Sequence, residues 1–209
     1  MIKPPEQHPN AALYCDLMET IKLRTGVVSQ TLQLHLNKQC YLPGFAAAEF
    51  CILQLRMECE LLALGCVAVH TDVPQTRRIQ KHWNADRIMS EFDSLKPEYF
   101  PQAETEVVDR ERKTIKAEIK KGVIKLSEFL RMYHHLAEQL HAGDFLTAKA
   151  RNKKPYDFNE LVKFQNDLIN LLNCHTYSLY GGEKHVRVIM NNRLDGRVWW
   201  NEGDAMKTM

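Results

Sequence analysis

The sequence predicts an α+β fold, predominantly helical: a bundle built on two long antiparallel helices with small antiparallel β-hairpins. Three observations carry this reading. Residues 45–69 form one long run, dominated by Ala, Leu and Met, that is apolar almost all round. Residues 10–36 carry a second stripe of apolar positions at helical spacing. The apolar period then shortens to two near residues 114–119 and again near 185–200, as half-buried strands require.

The elements follow in chain order. Residues 1–9 hold three prolines and read as an extended arm. The first helix starts after Asn10, a plausible N-cap, and its stripe is Leu13, Leu17, Ile21, Val28 and Leu32. Arg24 falls where that stripe would continue, and Gly26 after it lets another backbone come close. Residues 37–44 form a short connection, so the two long helices should pair as a hairpin. The core helix is bounded by Pro43-Gly44 before it and Asp72-Val73-Pro74 after it. Shorter helices are expected from Gln75 to Trp83 and from Ala85 to Leu95, with Asn84 capping the second. The loop that follows is tacked down by Tyr99 and Phe100.

A hairpin is expected over residues 104–125, with strands at 105–108 and 114–119 and a turn at Lys120-Lys121-Gly122. Ile115, Ala117 and Ile119 should face the core. Helices are expected over 127–177. Ser127 caps one that presents Phe129, Leu130, Tyr133, Leu136, Ala137 and Leu140. The other runs from Phe158 to Tyr177 on Leu161, Phe164, Leu168, Leu171 and Leu172. The last element is a hairpin at 184–201, turned at Asp195-Gly196. All of this fits one domain of 209 residues, with a helical core at 10–95.

Composition excludes some classes. Hydrophobic and charged fractions of 44% and 26% are ordinary for a globular protein, and a net charge of +2 neither demands nor excludes a nucleic-acid partner. The N-terminal stretch has no apolar signal region, and charges interrupt every apolar run, so a cytoplasmic protein with no membrane span is expected. The six cysteines show no Cys-x-x-Cys spacing. Cys51, Cys59 and Cys66 recur along the core helix, where cysteine acts as a small buried hydrophobe. No phosphate-binding glycine loop, nucleophile elbow or zinc signature is present, so no metal and no cofactor is expected.

The residues most open to a functional reading are charges inside the helices. Arg56 and Glu60 are four apart and share a face. With Arg24 and Glu58 they make a candidate polar core network, either a site or a structural ion pair that fixes register. His134, His141 and His175 are a candidate cluster, and His70 stands at the end of the core helix. Arg77 and His82 have the spacing of a ribonuclease motif in which imidazole transfers protons and guanidinium steadies phosphate. Lys113, Lys116, Lys120, Lys121 and Lys125 on the first hairpin, and Lys149, Arg151, Lys153 and Lys154 on a later loop, are candidate phosphate contacts. Trp199 and Trp200 point to opposite faces of the last strand, so one is available to stack on a base.

The segments Leu55-Arg56-Met57-Glu58-Cys59-Glu60-Leu61-Leu62-Ala63-Leu64, Leu140-His141-Ala142-Gly143-Asp144-Phe145, and Val188-Ile189-Met190 with Asp195-Gly196-Arg197-Val198 resemble a family of uncharacterised bacterial proteins. That family is similar to HEPN-like helical bundles. The resemblance implies RNA cleavage, nucleotide binding, phage defence or toxin–antitoxin function, and it makes Arg56, Glu60 and His141 the candidate catalytic positions. Arg131 and His141 stand where a closer Arg–His pair would be expected, which departs from the usual motif.

Three functions follow as expectations. The first is a non-enzymatic binding or assembly protein of a bacterial defence or mobile-element system, a homodimer through its long helices or bound to a partner protein. It predicts that Arg24, Arg56 and Glu60 are mutually buried with no cleft leading to them. The second is a metal-independent ribonuclease, which requires a His and an Arg to converge in an open cleft. The third is a non-catalytic RNA- or DNA-binding protein with one basic face.

Overall fold

The structure is a computed structural model and describes residues 8–71, 76–82, 84–95, 99–109, 114–140, 156–179 and 184–204. Six helices and five strands are described: α1 Ala11–Leu36, α2 Gly44–Val69, α3 Thr76–Ile79, α4 Ala85–Leu95, β1 Gln102–Asp109, β2 Thr114–Ile119, α5 Leu126–Leu140, α6 Phe158–Leu172, β3 Cys174–Ser178, β4 Lys184–Ile189 and β5 Trp199–Asp204. The expected α+β class and the pair of long packed helices are observed.

α2 is the central rod because it has almost no polar side to offer water. Ala47, Ala48, Cys51, Ile52, Leu55, Cys59, Leu62, Ala63, Cys66 and Val69 are all buried, and α1, α4, α5 and α6 pack around it. Gly65 allows the closest approach: a Cβ there would lie 3.0 Å from the Tyr14 ring and 3.1 Å from Met18. The buried stripe of α1 is Tyr14, Met18, Ile21, Val28 and Leu32. The sequence stripe is thus corrected at its start: Leu13 is half exposed and Leu17 only partly buried, because Tyr14 and Met18 take the positions against Gly65. Asn10 stands at the N-cap position, but its amide bonds Ala68 O and Thr71 Oγ1 and so ties the start of α1 to the end of α2.

The strands form one antiparallel sheet in the order β2-β1-β3-β4-β5. Its centre is the main correction to the sequence reading. The helix expected to run to Tyr177 ends at Leu172, and residues 174–178 are β3, the strand that joins the two hairpins. His175, Thr176 and Tyr177 are buried there, pairing with β1 on one side and β4 on the other. Aromatic and β-branched residues fit that pleated setting.

β2 is an edge strand. Ala117 and Ile119 are exposed rather than core-facing, since nothing covers that end of the sheet among the described residues.

The helix expected from Gln75 to Trp83 is cut short: α3 ends at Ile79 and the chain turns at 80–81. Other local signals hold in part. Asn84 caps α4 by accepting from the amides of Asp86 and Arg87. Asp157 caps α6 through the amides of Asn159 and Glu160. α5 starts at Leu126, one residue before the expected Ser127 cap, and the Glu128 carboxylate accepts from the Lys125 amide at that end. Tyr99 and Phe100 are buried, and Tyr99 donates to Met89 O. Gly122, in the connection from β2 to α5, and Gly196, in the connection from β4 to β5, take φ of +74° and +71°, which glycine adopts freely; the turn expected at 120–122 therefore follows the first hairpin, and the β1–β2 connection at 110–113 lies outside the described residues.

Gly65→Val is expected to destabilise the fold by about 1–3 kcal/mol, because the added atoms overpack against Tyr14. Gly26→Ala, at a helix position with nothing within 4 Å, is expected to stabilise by about 0.5–1 kcal/mol. Urea unfolding of both variants checks the opposite signs.

Candidate functional site

The four residues of the expected polar core network separate into two groups on opposite flanks of α2. Arg56 and Glu60 face α5. Arg56 Nε lies 3.3 Å from Glu60 Oε1, Tyr133 donates to the same oxygen at 3.1 Å, and the guanidinium sits 5.5 Å from the centre of the Tyr133 ring. Both side chains of the pair are partly exposed. Arg24 faces α2 from the other side and bonds Gln54 Oε1 at 2.6 Å. Arg24 is therefore not the partner of Glu60, and mutual burial of Arg24, Arg56 and Glu60 is not observed. Helix geometry explains it: residues 54 and 58 lie on the arc that meets α1, and residues 56 and 60 on the arc that meets α5.

Glu58 is the anomaly. It is 1% exposed, and neither carboxyl oxygen has a hydrogen-bond partner among the described residues. Burial pushes its pKa up to about 8; the Thr25 hydroxyl and the Arg24 charge lower it only in part, and neither meets hydrogen-bond geometry with a Glu58 oxygen. At neutral pH Glu58 is a protonated acid inside the bundle.

A second buried polar group lies where α1, α2 and β3 meet. His175 Nδ1 is 2.7 Å from Leu172 O, so this nitrogen carries the proton and donates. Nε2 must then accept, and Tyr14 donates to it at 2.6 Å. The Tyr14 oxygen accepts from the Tyr177 hydroxyl at 3.1 Å, which leaves Tyr177 to accept from the Cys66 thiol at 3.8 Å. Every direction in the chain is fixed by the one carbonyl at its end. Burial holds the His175 pKa down to about 4, so the imidazole is neutral, as the chain requires. The sequence reading missed Tyr14 and Tyr177; their signal was two tyrosines at strongly apolar positions, each needing a partner for its hydroxyl.

The remaining sequence candidates disperse. His134 is exposed beside Asp86, and His175 is in the core, so no cluster forms between them; His141 lies outside the described residues. Among the described residues no group of His, Cys, Asp and Glu could hold a metal. His70 is buried with its ring nitrogen 3.3 Å from Tyr99 O. Lys120 bonds Asn170, and Lys121 and Lys125 are exposed. Lys113, Lys149, Arg151, Lys153 and Lys154, and the side chain of Lys116, lie outside the described residues. Trp200 packs on Tyr14 while Trp199 on the opposite face is 39% exposed, as strand alternation predicts.

Two of the open surfaces bear on the expected functions. One is the outer face of the α1–α2 hairpin. On α2, Leu53, Met57, Leu61 and Leu64 follow one arc between α1 and α5, with Leu53 and Leu64 exposed. Leu13, Leu23 and Val27 are exposed on α1, and Leu36, Tyr41, Leu42 and Phe45 at the tip. Thr20 and Thr31 spend their hydroxyls on Asp16 O and Val27 O four residues back.

Across residues 25–48 Lys38 is the one Asp, Glu, Lys or Arg, against 26% for the chain. The other surface is a polar concavity of about 620 Å³ lined by Lys81, His82, Asn84, Asp86, Arg87 and Ser90. At its edge Glu91 gathers His82 at 3.0 Å, Arg78 at 3.7 Å and Arg87 at 3.8 Å.

The two buried titrations oppose each other. Glu58 keeps its proton in the fold between pH 4.5, its ordinary value, and about 8, so its contribution falls as pH rises through that window. His175 stays unprotonated in the fold between about 4 and its ordinary 6.5, so its contribution falls as pH drops through that window. Glu58→Gln is therefore expected to gain on the wild type steadily from pH 4.5 to 8, by up to ~5 kcal/mol at about 1.4 kcal/mol per pKa unit. Urea midpoints of both proteins across this range check it; a constant difference would show that Glu58 titrates normally.

No protein-family model, no curated protein and no solved structure gives a significant match to this chain.

Proposed function

We propose that this chain is a non-enzymatic binding or assembly protein that self-associates through the uncovered face of its helix hairpin; the mutual burial of Arg24, Arg56 and Glu60 expected of such a protein is absent, so the reading rests on that face alone. The observation that carries this reading is the combination of exposed leucines with a near absence of charge over residues 25–48. Depletion of charge with retention of large apolar side chains marks the centre of an interface. A second copy is the occupant that suits it, because two like surfaces without charge do not repel, and a two-fold contact pairs a patch with itself.

The size is adequate. Two 26-residue helices side by side present a face of roughly 39 Å by 20 Å, about 800 Å², the usual share of one partner in a stable interface; the charge-poor stretch 25–48 covers the part of it nearest the tip. No described helix is long and apolar enough to cross a membrane, so the leucines have no claim as a membrane span. Six free cysteines accord with a reducing cytoplasm. The bacterial defence or mobile-element setting rests on the sequence resemblance alone.

Sedimentation of the purified protein is expected to give a dimer. Leu53→Glu with Leu64→Glu is expected to give a folded monomer, since both side chains are already exposed. A wild-type monomer at high micromolar concentration would overturn the reading.

The second reading is the metal-independent ribonuclease. Its support is the concavity where His82 meets Arg87 and Arg78 around Glu91. That arrangement places an imidazole and guanidinium groups at one open site, which Arg56 and Glu60 do not. It expects cleavage of RNA in EDTA that falls by about 10²–10⁴-fold in His82→Ala, the usual scale for loss of a general acid or base. Intact RNA after incubation with folded wild-type protein counts against it.

A further inference from the structure

A groove of about 320 Å³ lies between α1 and α6 and ends on the connection from β4 to β5. That volume is within the about 300–1,000 Å³ of small-molecule sites. Ile21, Leu168, Leu172 and Met190, all buried in the core, also line it. Polar groups stand at its two ends. Lys22 and Asn191 are at the end near the β4–β5 connection, where Lys22 donates to Gly196 O at 2.6 Å and pairs with Glu19 at 3.0 Å. One N–H of its ammonium remains. At the other end Ser29 accepts from Gln165 and keeps its own proton to donate. No carboxylate lines the groove, and Lys22 is its one charged lining residue among those described.

Gly26 lies between the two ends. A glycine inside a long helix costs about 1 kcal/mol relative to alanine, and such a residue is retained with profit where something approaches closely. Among the described residues nothing does: a Cβ at Gly26 would meet no atom within 4 Å. Its missing side chain instead keeps the wall of the groove open between Lys22 and Ser29. Those two residues are seven positions apart on one face, roughly 10 Å along the helix at 1.5 Å per residue. That is the span of a medium-length alkyl chain.

We infer that this groove binds a small amphipathic carboxylate, its carboxylate at Lys22 and its alkyl tail running past Gly26 over Ile21, Leu168, Leu172 and Met190. Glu19 stands outside the lining with its carboxylate occupied by Lys22 and the Val198 amide, so the one charge that lines the groove is positive and selects an anion over an amine. The apolar wall and the length select a medium-chain tail.

Isothermal titration calorimetry with sodium octanoate tests this, with octanol and octylammonium as comparators. Octanoate is expected to bind saturably, and octylammonium at least tenfold more weakly. Lys22→Met is expected to weaken octanoate at least tenfold and leave octanol unchanged. Gly26→Leu fills the groove at an open helix position; it is expected to be as stable as the wild type or more so and to lose binding of both octanoate and octanol.

The inference is overturned by no saturable binding at millimolar octanoate, by equal binding of octylammonium, or by unchanged binding in a folded Gly26→Leu protein. Sedimentation of the same samples separates this from self-association: a Gly26→Leu protein altered in oligomeric state but not in octanoate binding would also overturn it.

Discussion

A hydroxyl buried with no partner costs more than most single contacts supply, and the meeting point of helices and sheet contains two of them. Tyr14 on α1 and Tyr177 on β3 satisfy each other, and His175 and Cys66 complete the chain. Because the Leu172 carbonyl only accepts, the whole sequence of donors is set from one end. The arrangement works only with β3 in register beside the ends of α1 and α2. Gly65 supports it by giving the Tyr14 ring room against α2. The sheet's position relative to the bundle follows from these contacts more than from any apolar pair, since leucines tolerate sliding and directed hydrogen bonds do not.

Charges within the helices resolve by geometry. Arg56 and Glu60 keep partial access to water and gain Tyr133, so their separation from the core costs little. Arg24 reaches a neutral amide, Gln54, in place of an anion. Glu58 has no hydrogen-bond partner among the described residues and avoids the cost of a buried charge by holding its proton. One helix thus carries an ordinary half-exposed ion pair on one flank and a neutral acid on the other, two residues apart in sequence.

Function, in this reading, lies on surfaces rather than in the polar core. The buried groups are enclosed, whereas the hairpin face, the groove beside α1 and the concavity near His82 are open. α1 contributes to two of these because it is an outer helix: one arc meets α2, and the rest is divided between water, the groove and the uncovered hairpin face. The tip is held to the body by His35, stacked 3.8 Å from the Phe158 ring, so the exposed aromatics there are displayed on a fixed support.

Periodicity over long helices was legible in the sequence. The two long helices, their short connection, the cap at Asn84 and the hairpin turned at Asp195-Gly196 follow from local rules, because propensity and turn chemistry act within a few residues. The charge-poor stretch at 25–48 was also there to be read, as was the near-helical row of cysteines. Residues 174–178 were not legible as a strand. Cys-His-Thr-Tyr-Ser follows directly on a helix with no proline or glycine to end it, and only pairing with β1 and β4 makes it extended.

Tertiary structure likewise decided which charge met which: Arg24 bonds Gln54 rather than Glu58 or Glu60, because the rotation of α1 about its axis presents it to that side of α2. It decided that Gly26 faces open space, because no spacing within α1 says whether a neighbour will arrive. Local sequence determined the elements; long-range pairing and packing, whose partners are far apart along the chain, determined the centre of the sheet and every surface on which this protein can act.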